Sequence, residues 1–357
     1  MSKRLLIYGS YGYTGKLIAE ECLRRGLAPL LAGRNEHALK KQADALGLSF
    51  VCFPLDMAAS VADVLHANKV DAVLHCAGPF VHTAGIMVDA CLQSQTHYLD
   101  ITGEFEVIEQ IARKNEPAKE AGIVMLPGAG FDVVPSDCMA RFAYETLPSA
   151  ELLKLHLLIK GHFSAGSAAT AIEHFSKGSA SRKNGLITST RTASKTSKVY
   201  FGKQLCKTSL IPWGDISSAF HSTGISNIEV FMALPRMARI SLKFSRVLRL
   251  FMMFGPIRRL FQRLMRRKGE GPGKQARRQG KTYILAEVFS INREYASILL
   301  TAPEAYTLTA RTAAEAGIRI MNGEVETGFQ TPSLAFGSGF IMEFEGVSRR
   351  ITATKGL

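Results

Sequence analysis

Gly9-Ser10-Tyr11-Gly12-Tyr13-Thr14-Gly15 is the stretch whose residue types and spacing point most directly to chemistry. It follows the apolar run Leu5-Leu6-Ile7-Tyr8 and opens a helical pattern reaching Arg25, which is the setting of a dinucleotide fingerprint. Gly9 permits the tight turn, Gly12 lets the backbone approach a pyrophosphate, and Gly15 lets the helix pack closely on the strand. The first N–H groups of that helix then face the anion. The competing reading is a strand-to-helix turn that is merely tight; the rest of the βαβ unit weighs against it.

The second apolar run ends in Leu31-Ala32-Gly33-Arg34-Asn35, where a carboxylate would hydrogen-bond the ribose 2′-hydroxyl of NAD. No acid stands there. A guanidinium at Arg34 grips a 2′-phosphate through charge-assisted bonds, so NADP(H) is the expected cofactor. The alternative is a solvated Arg34 paired with Glu36. Asp56, after the third run, either faces the adenine or caps the helix that follows.

His75-Cys76-Ala77-Gly78-Pro79-Phe80 ends the fourth run, and ligands of open α/β sheets bind at such carboxyl edges. Cys76 to Phe80 should line the nicotinamide ribose. His97-Tyr98-Leu99-Asp100-Ile101-Thr102-Gly103-Glu104 places polar side chains around the fifth run, and Gly128-Ala129-Gly130-Phe131-Asp132 with Pro135-Ser136-Asp137 closes the series. Asp100, Phe131, Asp132 and Ser136 are the expected pocket residues. Asp100 and Asp132 could equally hold loop backbone.

The elements that must position these residues follow from periodicity. Short apolar runs near 4–8, 29–32, 49–53, 71–76, 97–101 and 122–126 alternate with helical patterns, which predicts a doubly wound parallel sheet. Beyond Pro127 the pattern changes to an α+β mixture, so the 357 residues divide into a Rossmann domain and a second domain. A composition of 46% hydrophobic and 21% charged residues excludes disorder and small disulfide scaffolds.

The net charge of +14 is local: residues 236–281 hold fifteen Lys or Arg and only Glu270, whereas residues 1–130 hold twelve basic and fourteen acidic side chains. The stretch 239–268 reads as two basic amphipathic helices hinged at Gly255-Pro256. It suits a domain seam or homodimer interface, an anionic membrane surface, or an acidic carrier protein. It lacks the interleaved aromatics of a nucleic-acid binder. Residues 269–280 read as a loop. Six cysteines without CxxC spacing and scattered histidines argue for a reducing cytosol and against a metal site. The N-terminal apolar run is too short for a signal peptide, and no run reaches the roughly 18 to 20 residues of a spanning helix. The expected location is cytoplasmic, with peripheral attachment to the inner face of a membrane as an option.

With these segments in hand, the chain resembles the saccharopine dehydrogenase-like oxidoreductases, the family that includes trans-acting enoyl reductases. The carriers are the Gly9–Gly15 turn, Ala32-Gly33-Arg34, Ala77-Gly78-Pro79-Phe80, the His97–Glu104 run, and Gly130-Phe131-Asp132 with Pro135-Ser136-Asp137. Looser matches are Ser164 to Thr170, Gly271-Pro272, and Thr331-Pro332 to Phe336-Gly337; Ala165 and Ser167 depart from the family's Gly and Thr. The resemblance implies a Rossmann domain of residues 1–130 whose last helix comes from 331–357, with 131–330 an inserted α+β domain for substrate and dimerisation. It also implies NADP-dependent reduction of a carbon–carbon double bond in a lipid-type precursor, either small or carrier-bound. A saccharopine-type C–N dehydrogenase is the alternative enzyme, and an NADP(H)-binding sensor or scaffold without turnover is the alternative of another class.

Enoyl reduction needs a donor near the thioester oxygen to stabilise the developing enolate. Position nominates Tyr98, Thr102 and His97, with Asp132 and Ser136 shaping the mouth. Strand packing with a satisfied polar tip is the competing reading of His97 and Tyr98.

Overall fold

The computed structural model describes residues 3–161, 178–190, 195–235 and 271–356. The chain divides into two compact units, residues 1–134 with 306–344, and residues 135–305 with 345–357.

The first unit alternates strand and helix: β1 (Leu5–Tyr8), α1 (Tyr13–Arg24), β2 (Leu30–Gly33), α2 (Glu36–Leu46), β3 (Phe50–Cys52), α3 (Ala58–Ala67), β4 (Ala72–His75), α4 (Phe80–Ser94), β5 (His97–Asp100), α5 (Phe105–Ala112), α6 (Asn115–Glu120) and β6 (Val124–Leu126). In the second unit the described elements are α7 (Val134–Thr146), β7 (Ala150–Lys160), β8 (Ser179–Lys183), β9 (Leu186–Thr190), β10 (Thr196–Phe201), β11 (Gln204–Leu210), α8 (Asp215–Thr223), β12 (Asn227–Ala233), α9 (Lys274–Gln279), β13 (Lys281–Ser290) and β14 (Tyr295–Pro303). The chain then returns to the first unit with α10 (Ala305–Met321), β15 (Gly328–Phe329) and α11 (Pro332–Phe336), and ends in the second with β16 (Ser348–Lys355).

The first sheet is parallel, in the order β15-β6-β5-β4-β1-β2-β3. This is the doubly wound arrangement, whose switch point lies between β1 and β4. Both faces are covered, which is why β1 reads as an unbroken apolar run rather than an alternating one. Leu5 and Ile7 join a core with Ile18, Leu31, Leu99 and the Ala310, Ala313 and Ala314 stripe of α10. Leu6 and Tyr8 face the opposite core, with Val73, Met87, Tyr98 and Ile111. Gly317 lets α10 lie close to β1: a Cβ there would stand 3.4 Å from Leu5.

The second unit is a mixed sheet, β10-β11-β12-β7-β13-β14-β16, with the β8–β9 hairpin beside β12. β12 and β7 run parallel, and β13 and β14 continue antiparallel.

Two expectations need correction. The long helix returned to the Rossmann unit is α10, which precedes 331–357; residues 331–344 with α11 return as well, but residues 345–357 leave that unit to form the edge strand β16 on β14. Thr331 does start a helix, its hydroxyl accepting the Leu334 N–H at 3.3 Å, but Gly337 follows within two turns. Lys274–Gln279 is a short helix where composition predicts loop. The basic stretch 239–268 and the segment Ser164 to Thr170 lie outside the described residues. Among the described residues no helix is long and apolar enough to cross a membrane.

Candidate functional site

At the switch point, Gly9 takes the left-handed conformation, φ +82°, and donates its N–H to Ala32 O at 2.8 Å. A Cβ on Gly9 would stand 3.0 Å from Ala77 of the neighbouring loop. The Gly12 N–H closes the turn on Gly9 O at 3.0 Å. A Cβ on Gly15 would lie 2.5 Å from Gly9 O and 2.8 Å from Ser10, so helix and turn meet where only glycine fits. Tyr13 packs edge-on against Tyr306 at 5.0 Å, and Thr14 is half-buried behind it.

The two helices that start at this point differ at their N-termini. The buried Glu104 carboxylate accepts the first N–H groups of α4, from Phe80 at 3.0 Å and Val81 at 2.8 Å. Gly12 gives α1 no side-chain cap, and the first turn of α1 carries no acid. An anion is therefore accommodated at α1 and excluded by a resident carboxylate at α4. The loop over this point runs Cys76-Ala77-Gly78-Pro79 with a cis Gly78–Pro79 peptide, and the Thr83 hydroxyl donates to Ala77 O at 2.9 Å. His75 beneath it is buried among Tyr8, Phe80 and Tyr98 and bonded to Thr83 at 2.9 Å. Burial pushes its pKa down to about 3, so it brings no charge to the edge.

At the end of β2, the Tyr11 ring lies across Gly33, 2.5 Å from where a Cβ would stand. Asn35 caps α2, its Oδ1 accepting the Ala38 N–H at 3.0 Å. Arg34 is exposed and, among the described residues, makes neither an ion pair with Glu36 nor any side-chain hydrogen bond. Its cation nonetheless bears on Tyr8, whose hydroxyl burial and Tyr11 push up to about 12 while Arg34 draws it down. Asp56 acts on the same hydroxyl from the end of β3; its Oδ1 takes only the adjacent Met57 N–H, at 2.8 Å, and does not cap α3. An uncapped helix start, a glycine cradle and an unpaired guanidinium at the β2 end fit a dinucleotide carrying a 2′-phosphate.

Of the nominated donors, His97 and Tyr98 do not reach this edge, and Thr102 lies buried in the loop that follows β5. His97 opens β5, so it sits at the amino end of the sheet, and its Nδ1 accepts the Val124 N–H at 3.0 Å. Tyr98 is fully buried; its hydroxyl donates to Asp100 Oδ2 at 2.7 Å, and burial pushes its pKa well above 10. Thr102 is fully buried and accepts the Glu104 N–H at 3.0 Å. His97 and Tyr98 are held this way because β5 is an interior strand covered on both faces, whereas Thr102 is held by the turn that follows the strand.

The expected pocket residues divide similarly. Asp100 Oδ1 accepts the Thr102 N–H at 2.9 Å and the Gly128 N–H at 2.8 Å, which ties two edge loops together. Burial pushes Asp100 up to about 6 against those bonds and the one from Tyr98. Phe131 is buried, its N–H held by Thr309 at 2.9 Å, while Thr312 holds Ala129 O at 2.8 Å. Ser136 is fully buried in the second unit and hydrogen-bonds Asp215, a carboxyl that burial raises well above its usual range. Asp132 alone among the four is part-exposed, beside Gly103, where a Cβ would meet it at 2.8 Å.

The second unit carries a polar chain that sequence reading missed. His156 is fully buried and stacked on Phe231 at 4.8 Å, its ring nitrogens 3.1 Å from Thr208 Oγ1 and 3.1 Å from Glu287. Tyr295 donates to the same carboxylate at 2.8 Å. Glu104, Thr309 and Thr312 were also missed, because each acts on backbone distant in sequence. Gln42 was missed too, although a polar residue on the apolar stripe of Leu39 and Ala43 is a readable signal.

Residues 5–126 match the saccharopine dehydrogenase NADP-binding domain family. Over 187 residues the chain is 31% identical to a Mycobacterium tuberculosis protein named "Putative trans-acting enoyl reductase", covering 49% of this chain and 45% of that one. Over 154 residues it is 29% identical to a saccharopine dehydrogenase-like oxidoreductase of Rattus norvegicus, covering 38% and 35%. The chain thus spans less than half the length of either relative. Its fold is shared with the saccharopine dehydrogenase (L-Glu forming) of Saccharomyces cerevisiae, with TM-score 0.66 at 10% identity and 99% and 100% coverage. It is shared also with the homospermidine synthase of Legionella pneumophila in complex with NAD, with TM-score 0.63 at 11% identity and 99% and 92% coverage.

Proposed function

We propose that the chain, whose residues 5–126 match the saccharopine dehydrogenase NADP-binding domain, is an NADP(H)-dependent oxidoreductase of the saccharopine dehydrogenase-like kind that reduces a carbon–carbon double bond in an acyl substrate, free or carrier-bound. The observation that carries the cofactor reading is the pairing of an uncapped α1 with an unpaired Arg34 at the β2 end, where no carboxylate stands. Gly9 to Gly15 cradle the pyrophosphate. Arg34 takes the 2′-phosphate, with Tyr11, Gly33 and Asn35 forming the floor around it and Asp56 at the adenine side. Cys76 to Phe80 line the nicotinamide ribose. When bound, the nicotinamide supplies the hydride. Asp132 is the part-exposed carboxylate in reach of the edge loops, and the buried Asp100, Thr309 and Thr312 hold those loops in place. The likeness to a mycobacterial protein with that name supports the enoyl substrate class.

Fluorescence titration with NADPH and NADH tests the reading. The wild type should prefer NADPH, and Arg34→Ala should bring its affinity down to about the NADH level, a loss of about tenfold or roughly 1.4 kcal/mol. Equal affinity for both nucleotides in the wild type would remove Arg34 from cofactor selection. Turnover is then screened on enoyl thioesters. One observation favours a second reading, NADP(H) binding without turnover: Tyr98, Thr102 and His97 are all committed to structural bonds. Tight NADPH binding with no oxidation on enoyl, imine or keto substrates would establish that reading instead.

A further inference from the structure

Gln42 is a polar side chain on the apolar face of α2, between Leu39 and Ala43, and it is 7% exposed. Its Nε2 donates to Ser10 O at 3.0 Å. A carbonyl oxygen can only accept, so the amide orientation is fixed by chemistry, and Oε1 is left buried with no partner. A buried oxygen left unsatisfied is a standing cost to the fold, so the structural value of this residue lies in its donor.

The acceptor lies inside the glycine turn. Ser10 is fully buried, and its oxygen sits on the inner side, where a Cβ on Gly15 would approach it to 2.8 Å. The Ser10 carbonyl and the Tyr11 N–H belong to one planar trans peptide and point in opposite directions. Fixing the carbonyl inward therefore fixes the Tyr11 N–H outward. Of the N–H groups that precede α1, those of Gly9 and Ser10 are spent on Ala32 O and that of Gly12 on Gly9 O. Among the described residues the Tyr11 N–H meets no acceptor.

From this geometry we infer that Gln42 is a positioning residue that aims the Tyr11 N–H at the cofactor pyrophosphate. It works through the backbone, touches no ligand, and links α2, which starts beside Arg34, to the phosphate turn. The inference rests on the NADP(H) reading given above.

Gln42→Met keeps the length of the side chain and removes both the bond and the orphaned oxygen. The apoprotein should melt at or above the wild-type temperature, while NADPH affinity falls about tenfold. Adenosine 2′-monophosphate, which carries the 2′-phosphate but no pyrophosphate, should displace NADPH with an unchanged inhibition constant. Gln42→Asn keeps the amide but cannot reach Ser10, and should lose NADPH affinity to the same degree. Wild-type NADPH affinity in Gln42→Met would overturn the inference. So would a large fall in its melting temperature, or parallel weakening of adenosine 2′-monophosphate, since either would make the bond an ordinary structural contact. Failure of the wild type to bind NADPH would instead overturn the cofactor reading itself.

Discussion

Replacing Tyr98 with Phe separates a structural hydroxyl from a chemical one. The Tyr98 hydroxyl donates 2.7 Å to Asp100 Oδ2, while Asp100 Oδ1 already serves the Thr102 and Gly128 N–H groups. All of this is buried, and the Phe ring would fill the same space. The substitution leaves one carboxylate oxygen without its donor, at about 1.5 to 3 kcal/mol for a bond to a charged group. For a unit of this size that is a fall in melting temperature of roughly 3 to 12 °C. The cost depends on pH with a definite sign. Burial raises Asp100 from 3.8 in the unfolded chain to about 6, so its contribution to stability is fully present below about pH 4 and lost as pH rises through about 6. Without the hydroxyl the folded value rises further, and the loss deepens on the alkaline side. Calorimetry at pH 8 should therefore show a larger deficit than at pH 5, with NADPH binding spared at both. An unchanged melting temperature at pH 8 together with abolished turnover would refute this reasoning and return Tyr98 to the chemistry.

Gly15→Ala should weaken NADPH binding by tenfold or more and cost about 1 to 3 kcal/mol in stability, because its Cβ would sit 2.5 Å from Gly9 O; titration and calorimetry read the two effects. Glu104→Gln keeps one acceptor for α4 and loses the charge at its N-terminus, so a deficit of about 1 to 2 kcal/mol is expected in urea unfolding. In the second unit, burial pushes Glu287 up, but the bonds from His156 and Tyr295 hold it below its usual 4.5. Its contribution is therefore present above about pH 4.5 and lost as pH falls through the lower folded value. Tyr295→Phe should accordingly move the acid-unfolding midpoint upward, followed by the fluorescence of Trp213, the one tryptophan of the chain.

The parallel sheet was legible because strands covered on both faces read as unbroken apolar runs, and each of the first six fell within about two residues of its observed bounds. That same coverage hid the role of Tyr98: with cores on both sides, no alternation tells a buried hydroxyl from one at the edge. His97 was misjudged by strand direction, since it opens β5, and ligands of open α/β sheets bind beyond the carboxyl ends of the strands. Helix α10 was missed because its contact stripe, Ala310, Ala313, Ala314 and Gly317, is small rather than strongly apolar. The Glu104 cap and the Thr309 and Thr312 clasps join residues too distant in sequence for any local pattern to register.

The late arrival of α10 governs how the protein can be made. Its alanine stripe closes one face of a sheet whose strands β1 to β6 are complete by residue 126, yet all of 135–305 is synthesised in between. At the usual pace of about 5 to 20 residues per second, translating that stretch takes roughly 10 to 35 s. During that interval Leu5, Leu74, Leu99 and Val124 wait without their final cover, and the Ala129 and Phe131 backbone waits for its threonines. A nascent chain stalled in that interval has this face covered only by α1 and α2, and presents the part awaiting α10 to the ribosome surface and its chaperones. Completion of the first unit is thereby coupled to translation of the unit that interrupts it.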